Sequence, residues 1–324
     1  MLRKYLNLSK SEFKIFQSRV LNTLVGCYIE DKCLLSHFFS YLAKKNYNLL
    51  YKIIYKKFCF NLFIHKKMTI PSMDFMITTK CTLQCEQCSS LMPYYNEKTH
   101  YIENFESFKK YLDALLKQVD KINRFAIIGG EPLLHKDLPK MIEYASKKKQ
   151  ITTIVMITNG TMMPTEELLT MLKKYKNKNY VTVSDYRDNN GLTNLRTEEV
   201  VDKFKHAGIV SFITNYPWTY RGAIKKENRS IEELSNVMFN CWQHRCTAYL
   251  GGELHLCSRS IYIKRNLDES IKDYIKIDNE HDVSQEIIKY FSSNYADACD
   301  WCHTDMTKQI PRGVQLEGRS QIPS

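Results

Sequence analysis

The sequence predicts an α/β fold, a partial (β/α)6 barrel of the TIM type, from three observations. Between residues 71 and 230, short β-rich runs alternate with amphipathic runs of helical period. Glycine and polar residues follow the β-rich runs, where turns are expected. Five or six such units can be counted, fewer than the eight of a complete barrel. This alternation is typical of parallel strands joined by right-handed helical crossovers.

The elements of this unit follow in order along the chain. Strands are predicted over 73–78, 124–130, 152–160, 180–186 and 209–216, and helices over 105–119, 138–149, 164–175 and 197–208. Gly129 and Gly130 end the second strand, and Gly208 ends the last of these helices.

Regions of different composition flank the barrel. Residues 1–70 contain one Gly and no Pro, and their apolar spacing predicts a helical N-terminal extension. Residues 231–310 hold five cysteines and the hairpin-like stretch AYLGGELHLC, which predicts a small cysteine-rich C-terminal domain. The polar tail over 311–324 is expected to be loosely held.

Composition limits the class of protein. Of 324 residues, 44% are hydrophobic and 25% are charged, as in globular proteins. No apolar run reaches the roughly 18 uncharged residues that a spanning helix needs, and the N-terminus lacks a signal-peptide layout. We therefore expect a cytoplasmic protein.

The positive charge is concentrated at the N-terminus. Residues 1–72 hold 13 Lys and Arg against three Asp and Glu, in a chain whose net charge is +12. The lysines that interleave with Tyr and Phe are Lys44, Lys45, Lys52, Lys56, Lys57, Lys66 and Lys67. A helical cap with a solvated basic face and peripheral contact with an anionic membrane both explain this pattern. Nucleic acid is the least favoured partner.

The eleven cysteines favour metal binding over disulfides, because their number is odd and no signal peptide is recognised. Cys81, Cys85 and Cys88 form a CxxxCxxC array directly after the first predicted strand. Three thiolates can hold a [4Fe–4S] cluster and leave one iron open to a ligand. A structural zinc ion on Cys85 and Cys88 is the alternative. We interpret Cys27, Cys33 and Cys59 as buried apolar thiols.

A second motif makes the resemblance specific. Gly129, Gly130, Glu131 and Pro132 form a GGEP motif at the end of the second predicted strand. With the cysteine triad, this pattern resembles the radical S-adenosylmethionine superfamily over residues 73–225. The resemblance implies a [4Fe–4S] cluster on the triad, S-adenosylmethionine at the open iron and an external one-electron donor. A 5′-deoxyadenosyl radical would then abstract hydrogen from the substrate.

The resemblance also implies where the cofactor binds. The backbone of the two glycines would meet the methionine ammonium group, with Glu131 nearby. Short polar groups at two further strand ends would face the ribose and carboxylate: Thr158, Asn159, Ser184 and Asp185. Gln87 stands where the family commonly has an aromatic residue, so the adenine contact must differ. Tyr186, Arg187, Arg221 and Arg259 are candidates for substrate contact, although arginines are more often solvated.

A second cysteine set lies near the C-terminus: Cys241, Cys246, Cys257, Cys299 and Cys302. It resembles the Twitch and SPASM domains of some radical enzymes. The number of cysteines fits one auxiliary [4Fe–4S] cluster, the Twitch arrangement, and leaves open which of Cys241 and Cys246 is a ligand. A structural zinc ion is the alternative.

These features lead to one main functional prediction and two alternatives. The chain is expected to abstract hydrogen from a small polar molecule, such as a sugar, cyclitol or glycan, in a net oxidation assisted by the auxiliary cluster. The alternatives are a radical maturase that modifies a peptide and a zinc-stabilised binding protein without enzymatic activity.

Overall fold

The computed structural model describes residues 2–30, 36–189, 191–241, 247–303 and 308–317. The strands are β1 (Thr69–Met76), β2 (Lys121–Ile128), β3 (Ile151–Thr158), β4 (Asn179–Ser184), β5 (Ser211–Thr214), β6 (Trp218–Thr219), β7 (Ala248–Leu250), β8 (Glu253–His255), β9 (Tyr274–Lys276) and β10 (Gln309–Ile310). Eight of them form one sheet in the order β5-β4-β3-β2-β1-β7-β8-β9, and β6 pairs with β10.

Strands β1 to β5 are parallel, which confirms the predicted α/β class and is consistent with a partial TIM-type barrel. The helices between them are α5 (Phe105–Gln118), α6 (Leu138–Ser146), α7 (Glu166–Lys174) and α8 (Thr197–His206). Two helices begin at polar caps: the Asn104 side chain accepts from the Ser107 amide, and Thr165 accepts from the Leu168 amide.

Strand β1 begins earlier than predicted. It starts at Thr69, so the boundary expected between residues 70 and 71 falls inside the strand. Ile70 is fully buried, and its main chain pairs with Ile122 of β2. Pro71 is therefore part of a strand rather than a break between domains.

The predicted hairpin extends the main sheet. Strand β7 pairs in parallel with β1, and β8 and β9 continue from it in antiparallel order. Gly251 and Gly252 form its turn, with φ values of +59° and +84° that favour glycine. The sheet thus crosses the boundary predicted at residue 230. The helices of this region are α9 (Ile231–Asn240), α10 (Ser258–Asn266) and α11 (Ser284–Phe291).

The N-terminal extension is helical, as predicted. It contains α1 (Leu2–Tyr5), α2 (Lys10–Phe16), a π-helix over Gln17–Asn22, α3 (Thr23–Glu30) and α4 (Ser36–His65), with a kink at Asn46. Phe16, Val20 and Leu50 are fully buried and belong to the same apolar core as β1 and β2. The extension therefore packs onto the barrel. No described helix is long and apolar enough to cross a membrane.

The C-terminal tail differs from the expectation of a loosely held segment. Residues 308–317, which we call the strap, run across the sheet's carboxyl edge. Strand β10 pairs with β6, and the main chain of Gln315 forms a bridge with Cys85. The loose tail was predicted from local polarity alone. Local polarity carries no information about partners that lie this far away in the sequence. Residues 318–324 are outside the described part of the chain.

Candidate active site at the carboxyl end of the sheet

A cavity of about 300 Å³ opens where the parallel strands β1 to β5 end. The loop after each of these strands forms part of the cavity wall, as is usual for α/β proteins. The predicted site residues in this wall are Cys81, Cys85, Cys88, Gly129, Gly130, Thr158, Asn159, Ser184 and Asp185. The fold thus brings nine sequence-predicted positions from four loops into one cavity.

The cysteine triad occupies the wall that follows β1. Cys85 is buried, and Cys81 and Cys88 are half-buried. Burial raises the pKa of the Cys85 thiol to about 12. Amide donors approach sulfur: Asn159 Nδ2 lies 3.6 Å from Cys81 Sγ, and Gln315 Nε2 lies 3.4 Å from Cys85 Sγ. Such donors stabilise negative charge on sulfur.

The donor set of the triad fits a [4Fe–4S] cluster with one open iron. Among the described residues, no three His, Cys, Asp or Glu side chains are arranged to hold one metal ion. A zinc ion needs all its thiolates within one coordination sphere, at about 2.3 Å from the metal. The thiolates of a [4Fe–4S] cluster bind different irons and stand further apart. Cys81, Cys85 and Cys88 line one cavity and supply the three thiols that such a cluster needs.

The two glycines are required by packing within the protein. A Cβ atom on Gly129 would lie 2.5 Å from the Thr78 carbonyl oxygen, and one on Gly130 would lie 2.7 Å from Cys81 Cβ. The Gly130 amide donates to Thr78 O at 2.9 Å. The sequence suggested close approach to a ligand, whereas the observed close approach is to the loop that carries the cysteine triad.

Glu131 and Pro132 lie behind the cavity wall and do not line it. The buried Glu131 carboxylate accepts from the Leu133 amide at 2.9 Å, from Thr158 Oγ1 at 2.8 Å and from the Asn159 amide at 2.8 Å. Burial raises its pKa to about 7, and these donors partly offset that effect. These bonds use the carboxylate to join the loops after β2 and β3, and direct cofactor contact by Glu131 and Pro132 stays a prediction.

Asn159 connects the triad to the loop after β3. Besides contacting Cys81, its Nδ2 donates to Thr82 Oγ1 at 2.8 Å. Its Oδ1 accepts from Thr161 Oγ1 at 2.7 Å, and Thr161 is bonded in turn to Thr82 at 2.7 Å. This closed network orients the amide toward sulfur.

The loop after β4 has a polar and an apolar part. Arg187 holds both oxygens of Asp185 at 2.8 and 2.9 Å and lowers the pKa of that carboxyl group. Arg187 also pairs with Glu198 and does not line the cavity. Tyr186 does line it, edge-on to Trp218, and burial raises the pKa of its hydroxyl. Tyr186 therefore faces the cavity as a neutral side chain.

Sequence reasoning missed the role of three residues. Gln315 donates to Cys85, and Arg312 lines the cavity while pairing with Asp188 at 2.7 Å. Gln87 accepts a hydrogen bond from the Arg221 amide at 3.1 Å, which ties the triad loop to the chain after β6. The tail residues had no motif or periodicity that could have indicated these contacts.

The second cysteine set also converges. Burial raises the pKa of Cys257 to about 12, and nearby Cys302 and Cys241 add to that effect. Burial likewise raises the pKa of Cys299, with contributions from the same three cysteines. The four described thiols are therefore near one another, although they are not grouped closely enough to hold one metal ion. Cys246, and with it the choice between Cys241 and Cys246, lies outside the described residues.

Three arginines surround this set. Arg221 Nη1 lies 3.9 Å from Cys241 Sγ, and Arg229 Nη1 donates to the Cys299 carbonyl oxygen at 3.3 Å. Arg259 donates to Trp301 O at 3.1 Å, and its charge partly offsets the rise that burial causes in the pKa of Cys88. Arg221 also lines the main cavity, and its main-chain amide donates to Gln87 of the triad loop, so one residue connects the two cysteine sites.

Comparison with known proteins identifies the barrel. Residues 75–221 match the family described as the Radical SAM superfamily. The GTP 3′,8-cyclase of Clostridium acetobutylicum is 33% identical over 88 residues, 27% of this chain and of that protein. The GTP 3′,8-cyclase of Clostridium botulinum is 36% identical over 99 residues, 30% of each. The chain thus spans less than a third of the length of these curated relatives.

Two solved structures resemble the fold. BtrN in complex with AdoMet and 2-DOIA is 15% identical, with a TM-score of 0.45 over 75% of this chain and 96% of that chain. Streptococcus suis SuiB is 18% identical, with a TM-score of 0.37 over 52% and 39% of the two chains. Residues 75–221, which contain both the cysteine triad and the GGEP motif, thus match the radical S-adenosylmethionine superfamily, as the sequence motifs predicted.

Proposed function

We propose that this enzyme abstracts a hydrogen atom from a small polar substrate, such as a sugar or cyclitol, and completes a net oxidation with the help of a second cluster. The observation that carries this proposal is the position of Arg221, which lines the main cavity and reaches Cys241 of the second set.

The chain's own residues would bind and shield the reactants. When bound on Cys81, Cys85 and Cys88, a [4Fe–4S] cluster with S-adenosylmethionine supplies a 5′-deoxyadenosyl radical. Thr158, Asn159 and Ser184 offer hydroxyl and amide groups for the nucleoside. Tyr186 and Trp218 supply an apolar wall that excludes water.

The second cysteine set would serve the later half of the oxidation. Abstraction moves one hydrogen atom from a substrate carbon to the 5′-deoxyadenosyl carbon. Loss of a proton to solvent and of one further electron then converts an alcohol into a carbonyl group. Cys241, Cys257, Cys299 and Cys302 would hold a second cluster, and such a cluster would accept that electron. Thiolate-ligated clusters of this type are anionic, and the Arg221 guanidinium group near Cys241 would offset part of that charge.

A radical maturase for peptides is less well supported. Such enzymes often carry an N-terminal winged-helix recognition module, whereas the described part of residues 1–65 consists of helices packed on the barrel. The curated relatives that act on GTP match less than a third of the chain, so their substrate is not transferred to it.

Anaerobic reconstitution with iron and sulfide tests this proposal. We expect about eight irons in the unmodified protein and about four in each of Cys88→Ala and Cys299→Ala. With dithionite and S-adenosylmethionine, 5′-deoxyadenosine should form in the unmodified protein and in Cys299→Ala but be lost in Cys88→Ala. Cys59→Ala is the control, because Cys59 is half-buried and outside both sets.

The possible failures are distinguishable. A colourless, zinc-loaded protein that forms no 5′-deoxyadenosine would overturn the whole proposal. About four irons in the unmodified protein, with no loss in Cys299→Ala, would overturn only the second cluster. Consumption of candidate sugars or cyclitols, followed by detection of the carbonyl product, tests the substrate class.

A further inference from the structure

Helix α4 is apolar on two opposite faces. On its inner face, Leu50, Ile54, Phe58 and Leu62 are at most 4% exposed and belong to the main core. On the other side, Leu49 and Ile53 are each 45% exposed, Phe60 is 65% exposed and Ile64 is 61% exposed. We call these four residues the outer face of α4. One apolar face is enough to pack a helix on a core, so this second apolar face suits a further apolar environment.

Lysines flank the outer face. Its four apolar residues are spaced by four, seven and four, which aligns them along one side of the helix. At 3.6 residues per turn, Lys56 and Lys57 project on opposite sides of this stripe, and Lys52 lies beyond Lys56. All three are exposed. The sequence from 36 to 67 contains seven Lys and no Asp or Glu, so this segment is strongly basic.

We propose that the outer face of α4 docks on an anionic lipid surface. The apolar stripe enters the boundary between headgroups and acyl chains, as in interfacial amphipathic helices. Lys52, Lys56 and Lys57 extend along its edges to the lipid phosphates, because a lysine stem can lie on apolar surface while its ammonium group stays in polar surroundings. This site is independent of the proposed radical chemistry.

The lysines along the outer face of α4 favour an anionic lipid surface as its partner over a second copy of the chain or a nucleic acid. A second copy of the chain would place its own lysines against these lysines without intervening carboxylates from 36–67. A nucleic acid would satisfy the lysines but leave Phe60 and Ile64 without an apolar partner. An anionic lipid surface supplies both phosphates and an apolar layer.

Docking through the outer face of α4 would leave the candidate active site accessible. The end of α4 lies near the amino end of β2, because His65 pairs with Asp120, the residue before that strand. The cysteine triad lies at the opposite, carboxyl edge of the sheet. Docking through α4 would therefore hold the enzyme at a lipid surface with its cavity directed away from that attachment.

Vesicle flotation of the reconstituted full chain tests the proposal. We expect binding to vesicles of equal parts phosphatidylcholine and phosphatidylglycerol, weaker binding at high salt and little binding to phosphatidylcholine alone. Each lysine near an anionic surface contributes about fivefold to partitioning, so Lys52→Gln, Lys56→Gln and Lys57→Gln together should weaken binding about a hundredfold. Phe60→Ser with Ile64→Ser should weaken it about tenfold or more.

Matched controls test whether binding depends on this face or on exposed apolar and basic side chains in general. Phe239→Ser removes an aromatic side chain that is 62% exposed elsewhere, and Lys110→Gln, Lys149→Gln and Lys176→Gln remove three exposed lysines from the barrel. Neither control should change vesicle binding. Absence of binding to anionic vesicles, or equal loss in controls and test variants, would overturn the proposal. So would a dimer in solution that only the Phe60→Ser, Ile64→Ser protein fails to form, or DNA binding that the lysine variants abolish while vesicle binding persists.

Discussion

Each thiol of the Cys81, Cys85 and Cys88 triad has amide donors from a different source. Asn159 approaches the first sulfur from the loop after β3, and Gln315 approaches the second from the strap. Backbone amides that follow Cys88 in the sequence face the third. The triad itself could be predicted, because its ligand spacing is local. The amide donors could not be predicted from the sequence, since Gln315, for example, is 230 residues from Cys85 and belongs to no motif.

We predict that Gln315→Leu makes the reduction potential of the triad's cluster more negative. Reduction adds negative charge near sulfur, and an N–H donor stabilises the reduced form more than the oxidised form. A neutral hydrogen bond of ~1 kcal/mol corresponds to about 40 mV for one electron. A redox titration followed by electron paramagnetic resonance measures the shift. Gln309→Leu, at an exposed position of the same strap, is the control, and an equal shift in both variants would contradict the prediction.

At the scale of elements, local patterns predicted the parallel strands and their helices well. The predicted helix over 197–208 and the observed α8 (Thr197–His206) differ only at the end. Partners distant in sequence were harder to predict. Nothing within AYLGGELHLC shows that β7 joins β1 as a sixth parallel strand, because that contact joins residues about 174 apart, Asp74 and Ala248. Similarly, β1 extends back to Thr69 because its early residues pair with β2.

Helix α4 offers an internal test of the packing of the N-terminal extension. Leu50 is fully buried in the main core, whereas its neighbour Leu49 is 45% exposed. We predict that Leu50→Ala lowers the free energy of unfolding by about 2–5 kcal/mol, since it leaves a cavity. Leu49→Ala should change it by no more than about 0.5 kcal/mol. Urea denaturation measures both, and equal losses would show that the two faces of α4 are not distinct.

At the scale of the whole molecule, three remote segments converge on the carboxyl edge of the barrel. The triad follows β1, the second cysteine set follows the barrel, and the strap returns across the triad loop. Arg221 contacts the triad loop through its main chain and Cys241 through its side chain. The sequence indicated two cysteine sites but not their adjacency, because that depends on how β6, β7 and β10 fold back onto the sheet.

The strap is predicted to protect the triad's cluster from oxygen. Two main-chain hydrogen bonds join it to the triad loop. The Glu86 amide donates to the Val314 carbonyl oxygen at 2.8 Å, and the Leu316 amide donates to the Gln84 carbonyl oxygen at 2.8 Å. Arg312 fastens it to the loop after β4 by pairing with Asp188. Deletion of 308–324 should therefore leave the barrel folded but let the reconstituted cluster bleach several-fold faster in air, since its surroundings control solvent access.

Two controls identify the cause of that faster bleaching. Deletion of 318–324 keeps the whole strap and should bleach at the unmodified rate. Gln315→Leu keeps the main chain of the strap over the triad loop and removes only the amide that donates to Cys85. It should therefore change the reduction potential of the cluster while leaving the bleaching rate nearly unchanged. The visible absorption of the cluster measures the decay after exposure to air. Equal rates in the two deletions would mean that the strap fastens the loop without shielding the cluster, and the protection would then come from the loops of the barrel.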